Sequence, residues 1–167
     1  TMVRTITVDF KDNKATVNLN NAPGVTYTAE GGHVVINNTN ATEEMEFVLS
    51  GTSNDASLTY NGVYKCKFHL NNLNLTSTKG AALDIQCGKR IDVFLMDGTT
   101  NSLTDCAGGL QKAAFYCKGH MEVAGGGSLT VAGHTHHAIG TNEYLILKKS
   151  TGNITITNAV NDAIHAG

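Results

Sequence analysis

The sequence predicts an all-β fold: a right-handed parallel β-helix with three short strands per coil of about 25 residues and a β cap at its N-terminal end. Three recurrent phrases predict it. One is an alternating segment, seen as Leu73-Asn74-Leu75, Ser102-Leu103-Thr104, Leu129-Thr130-Val131 and Ile154-Thr155-Ile156. Leu75, Leu103, Val131 and Ile156 follow one another at 28, 28 and 25 residues. Another is a short apolar pair: Ala82-Leu83, Ala114-Phe115, Ala138-Ile139 and Ala163-Ile164. In three of the four units it lies 8 residues beyond the alternating column; in the fourth it lies 12 beyond, which places a four-residue insertion around 106–112. The last is the strand that opens each unit: Phe68-His69-Leu70, Val93-Phe94-Leu95, Met121-Glu122-Val123 and Leu145-Ile146-Leu147.

One such coil cannot bury its own inward side chains. Stacked coils align them into ladders, each strand pairing in parallel with its equivalents above and below. The 18 glycines, the single proline and the many Asn and Thr residues suit short strands joined by tight turns. Leucine-rich repeats have a similar period, but their leucine/asparagine phrase and helical return are missing here.

Residues 1–33 read differently. Thr5–Phe10, the polar Lys11–Lys14 and Ala15–Leu19 predict a β-hairpin. With Val25–Ala29 it is expected to cap the stack and cover an edge open to aggregation. Val34–Ile36 and Glu46–Leu49 then begin the first coil. The expected organisation is a cap over 1–33 and about five coils over 34–167. The final phrase looks internal, so further coils beyond Gly167 are expected.

Composition narrows the function. Hydrophobic residues are 41% and charged residues 16%; 12 basic residues against 14 acidic ones give a net charge of -2. This leaves no basic footprint for nucleic acid and no polybasic membrane anchor. No apolar run approaches the roughly 20 residues of a membrane span. Cys66, Cys87, Cys106 and Cys117 lack CxxC spacing, which argues against a cysteine zinc site. Buried free thiols are expected, with a single disulfide as the alternative.

The stretch Phe68–Ser77 followed by Gly80-Ala81-Ala82-Leu83, and the phrase Asp97-Gly98-Thr99-Thr100-Asn101-Ser102-Leu103-Thr104-Asp105, carry a recognisable pattern. Gly127–Val131, His137-Ala138-Ile139 and Asp162–Ala166 extend it. Together these resemble a bacterial carbohydrate-binding β-helix family, itself similar to pectate-lyase-like β-helices, over about 46–167. Ala138 and Ala163 stand where the family pattern has Gly. The resemblance implies polysaccharide binding in an extracellular or cell-surface setting, and it allows calcium as a cofactor.

Strand alternation assigns the outward faces. The third-strand column presents Asp84, Tyr116, Gly140 and His165. The second-strand column is a plain polar ladder. The first-strand face presents Lys67, Asp92, His120 and Tyr144 beside His69, Phe94, Glu122 and Ile146; it is a competing site, but an exposed apolar row such as Phe94, Tyr144 and Ile146 more often packs against another segment or subunit. Sugars need directional polar groups and a ring to stack on. Asp84, Tyr116, His137 and His165 are therefore the carbohydrate-binding candidates, with Gly140 leaving a dent beside them; a merely solvated face is the alternative. The absence of Trp argues against a flat platform for crystalline cellulose.

The turns hold a second group. His137 and Asp162 lie 25 residues apart, as do His136 and Asn161, so each pair is expected in adjacent coils. Asp162 and Asn161 are the calcium candidates, while the imidazoles of His134, His136 and His137 suit a transition metal such as zinc. The alternative is a hydrogen-bonded turn with His137 donating to Asp162. Glu43, Glu44 and Glu46 read as a solvated loop.

Lyases and hydrolases of this shape need clustered or paired carboxylates. The aligned phrases stack no two carboxylates, and Lys112 is the one candidate base. The expectation is non-catalytic polysaccharide binding, with no nucleic acid and no spanning segment. A truncated lyase or hydrolase and a structural adhesin stalk are the alternatives.

Overall fold

The computed structural model describes residues 4–167 and places them in strands and turns without a helix. The strands are β1 (Thr5–Lys11), β2 (Lys14–Asn18), β3 (Val25–Glu30), β4 (Gly32–Asn38), β5 (Glu46–Ser53), β6 (Ala56–Gly62) and β7 (Cys66–Thr76). They continue as β8 (Leu83–Gln86), β9 (Ile91–Leu95), β10 (Thr100–Thr104), β11 (Ala113–Cys117) and β12 (Met121–Ala124). The chain ends with β13 (Ser128–Ala132), β14 (His137–Thr141), β15 (Leu145–Leu147), β16 (Ile154–Asn158) and β17 (Ile164–Ala166).

Consecutive coils stack these strands into a parallel β-helix. A seven-stranded sheet runs β17-β14-β11-β8-β6-β4-β3 and forms the third-strand ladder. The larger sheet joins the other two ladders, β15-β12-β9 and β10-β13-β16, through the long strand β7, which pairs with both β9 and β10. That strand turns the corner at Asn72, whose φ of 54° is left-handed, and β5 turns beside it at Gly51 with φ 99°. A Cβ on Gly51 would overlap the Phe10 carbonyl, so only glycine fits there. At the N-terminal end β1–β2 and β3–β4 are antiparallel hairpins, while β1 pairs in parallel with β5 and β4 with β6. The hairpins therefore share the sheets and, through Ile6, Val8 and Phe10, the core.

Two ladders stand in the register the spacing predicts. Leu75, Leu103, Val131 and Ile156 stack in one, and Leu83, Phe115, Ile139 and Ile164 in the other. The first-strand ladder differs from the aligned phrases by two residues. Val93 pairs with Val123, and Met121 with Ile91. A shift of two keeps every side chain on its own face, so the apolar pattern alone cannot choose between the registers. Turn length chooses: from Ile85 to Ile91 the chain advances six residues, but from Cys117 to Met121, the paired positions one coil on, only four.

The core is wide and aromatic at the N-terminal end, where Phe47 and Phe68 stack at 4.9 Å and Tyr60 meets them edge-on at 4.9 and 5.2 Å. The Tyr60 hydroxyl accepts a hydrogen bond from Asn38 Nδ2 at 3.1 Å, and burial pushes its phenol pKa up. All four cysteines are free thiols; burial raises those of Cys66 and Cys87 and pushes Cys117 up to about 12, which leaves them poor nucleophiles.

The phrase from Asp97 to Asp105 works as a staple between coils. Asp97 Oδ1 accepts from Gly126 N–H at 2.8 Å, and Asp105 Oδ1 accepts from His134 N–H at 2.5 Å. Asn101, fully buried, accepts from Leu73 N–H at 2.8 Å and donates to the Ser128 carbonyl at 3.0 Å, so it spans three coils.

Candidate functional site

The third-strand column is as the alternation predicts: Asp84 pairs with Tyr116, Tyr116 with Gly140, and Gly140 with His165. What fills the space differs from expectation. The Tyr116 ring packs beside Gly140, and its hydroxyl donates to Asn142 Oδ1 at 2.5 Å. Tyr116 is only 7% exposed, so it offers no free ring for stacking, and burial next to Asp84 raises its phenol pKa. Asp84 accepts from Gln86 Nε2 at 2.7 Å and from Gln111 Nε2 at 3.3 Å. A cavity of about 150 Å³ remains, lined by Lys112, Tyr116, His137, Thr141, Asn142 and His165. Asp84 lies outside that lining.

The turn entering this strand brings His137, Asp162 and His165 together. His137 is 3% exposed, and its ring lies parallel to His165 at 4.4 Å and beside His136 at 4.0 Å. Asp162 Oδ2 is 3.1 Å from His165 Nδ1 and 3.7 Å from His137 Nδ1. Desolvation and then His136 hold the His137 imidazole below its ordinary pKa. Asn161 takes no part in this group: its Nδ2 faces His136 Nε2 at 3.3 Å. His134 also stands apart, its Nδ1 3.2 Å from Asn158 Nδ2.

A second polar surface is on the first-strand face. The two-residue shift places Lys67, Asp92, Glu122 and Ile146 in one outward column. Two carboxylates are therefore stacked in adjacent coils, against the expectation that the register supplies no such pair. Arg90 Nε lies between them, 3.6 Å from Asp92 Oδ2 and 3.9 Å from Glu122 Oε2. Lys148 Nζ is 3.4 Å and His120 Nε2 3.2 Å from Glu122. Arg90, Asp92, Glu122 and Lys148, with Lys67, Phe94 and Glu44, line an open groove of about 290 Å³. Aromatic pairs flank it: His69 stacks on Phe94 at 5.0 Å, and His120 lies at 4.0 Å from Tyr144, which is 54% exposed. Turn length was the signal in the sequence that could have found this column.

Comparison with known proteins bears on what such surfaces hold. A family model described as "Carbohydrate-binding domain-containing protein" matches residues 30–167. The chain belongs to this carbohydrate-binding family. A family relative from Acetivibrio thermocellus with the same description is 29% identical over an alignment of 120 residues, and the match covers 66% of this chain and 41% of the relative. A solved structure described as the polysaccharide lyase-like protein from C. thermocellum, a gadolinium derivative, is similar with a TM-score of 0.73 and 24% identity. That match covers 91% of this chain and 61% of the other, and it shows the fold. The chain thus spans less than half of the curated relative and about three fifths of the structural neighbour.

Proposed function

We propose that the chain is a non-catalytic polysaccharide-binding module of a secreted or surface protein, and that it holds its glycan on the outer face of β7, β9, β12 and β15. The observation that carries this reading is the column of Asp92 and Glu122 with Arg90 between them, bordered by Phe94 and Tyr144. Carboxylates, a guanidinium and lysines offer fixed acceptors and donors to sugar hydroxyls, and the rings offer faces for their C–H edges. The groove runs across coils and is open along its length, which suits a chain rather than a monosaccharide. Positive and negative side chains alternate along it, so a neutral or weakly acidic polymer is the favoured ligand.

The stacked carboxylates keep a hydrolase as the second reading. An acid/base pair needs one carboxyl group protonated, whereas here each faces a cation, an arrangement that favours two acceptors. The deciding experiment is titration calorimetry on soluble neutral and acidic polysaccharides, with calcium and with chelator, beside an assay for new reducing ends and unsaturated products. Phe94→Ala and Arg90→Ala should each weaken binding about tenfold, equivalent to ~1.4 kcal/mol. Asp84→Ala, on the third-strand face, should leave it unchanged. Product release by the wild type would replace binding with catalysis. Unchanged affinity in both groove variants would move the site elsewhere.

A further inference from the structure

We propose that His137, Asp162 and His165 form a binding site for a divalent transition metal ion of the zinc class, separate from the glycan groove. The three residues meet because two coils stack: His137 opens β14, and Asp162 and His165 lie in the turn and strand directly above it, with Ala138 N–H donating to the Asp162 carbonyl at 3.2 Å. Their ligand atoms all fall within 4.8 Å of one another.

Zinc takes bonds of about 2.0 Å in a tetrahedron, which puts neighbouring ligand atoms about 3.3 Å apart. The two nitrogen-to-carboxylate distances, 3.1 and 3.7 Å, straddle that value. The imidazoles now lie face to face at 4.4 Å, so one ring must turn before both ring planes meet at the ion, and the half-exposed His165 is the ring with room to do so. Two imidazole nitrogens and one carboxylate oxygen suit a borderline ion; calcium requires six to eight oxygens, and Asn161, the other oxygen donor expected here, is turned to His136.

The present contacts at these atoms yield readily. His137 Nδ1 accepts from the Asp162 N–H at 3.3 Å, a long bond. A second observation independently points to a ligand. The adjoining cavity of about 150 Å³ is lined by Lys112, Tyr116 and Thr141, and Thr141 is 2% exposed with an Oγ1 that has no hydrogen-bond partner among the described residues. A metal with three protein ligands keeps a fourth position, and water or a small anion there would have the Thr141 hydroxyl and the Lys112 ammonium for neighbours.

The test uses the tag-free chain after chelator treatment, titrated with Zn²⁺ by calorimetry and with Co²⁺ by visible absorption. One ion per chain is expected, with the intense visible bands of four-coordinate cobalt. His165 and Asp162 have side chains 52% and 49% exposed, so His165→Ala and Asp162→Asn should fold normally and weaken binding at least tenfold. His134→Ala should bind as the wild type does. Failure to bind one equivalent would overturn the site, as would binding that survives both variants, or binding lost in His134→Ala but kept in His165→Ala. Displacement of Zn²⁺ by equimolar Ca²⁺ would overturn the assignment of ion class.

Discussion

Charging one rung of the second-strand ladder tests the whole stack. Val131 is fully buried between Leu103 and Ile156, whereas its neighbour Thr130 points outward between Ser102 and Thr155. Val131→Asp removes the burial of a valine side chain, worth about 1.5 kcal/mol or more. It also places a carboxylate among apolar side chains with no partner, adding at least about 2.5 kcal/mol even after relaxation. The sum is about 4 kcal/mol. For a chain of this size 1 kcal/mol moves the melting temperature by about 2–4 °C, so a fall of about 8–16 °C is expected. Thr130→Asp exposes its charge to water and should stay within about 0.5 kcal/mol, or about 2 °C, of the wild type. Circular dichroism melts of the three proteins in one buffer read this directly. Hydrogen exchange over β10, β13 and β16 shows whether the loss is local to the coil, as solenoid energetics predicts. If Val131→Asp melts with the wild type, or the two variants fall together, the inward and outward assignment fails.

Two further variants probe the turns. Gly125 has φ 94°, and a Cβ there would overlap the Leu95 carbonyl oxygen, so Gly125→Ala should cost at least about 1–3 kcal/mol, measured as a drop in the urea midpoint. Asp55 accepts from Thr78 Oγ1 at 2.5 Å and lies 2.6 Å from His33 Nε2, and these contacts hold its carboxyl below the ordinary pKa. A depressed carboxylate pKa stabilises the fold above the unfolded-state value of about 4, and the contribution is lost as pH falls through the folded-state value. Asp55→Asn should therefore lower the melting temperature at pH 7, with the difference from wild type shrinking in acid; a constant difference across pH would contradict the linkage.

Where packing dictated the residue, the sequence was a sufficient guide. Leu75, Leu103, Val131 and Ile156 recur because each must cover the next, and the outward column of Asp84, Tyr116, Gly140 and His165 follows from alternation alone. Contacts one coil away were harder to see. Tyr116 is outward in register yet covered, its ring packed beside Gly140 and its hydroxyl bonded to Asn142. Asp162 and His137 were legible as neighbours from their 25-residue separation, but the parallel stacking of His165 on His137 depends on side-chain rotamers that no spacing encodes. The Asp97–Asp105 phrase carried the family resemblance, and its polar members turn out to bond the next coil's backbone. Its specificity reports the fold more than the ligand.

The pairing of Asp92 with Glu122 shows where function is written in such a stack. Moving β12 by two residues against β9 would leave Met121 and Val123 facing the core, so the hydrophobic free energy barely distinguishes the two registers. On the outer face the same shift decides whether Asp92 meets His120 or Glu122. The choice is made by the turns, six residues from Ile85 to Ile91 against four from Cys117 to Met121. Inward positions specify that coils stack; turn lengths specify which outward side chains meet. A polar column can thus be reassembled without disturbing the core. That separation lets one solenoid present a charged groove on its first-strand face and a histidine cluster at the entrance to its third, each free of the packing that holds both in place.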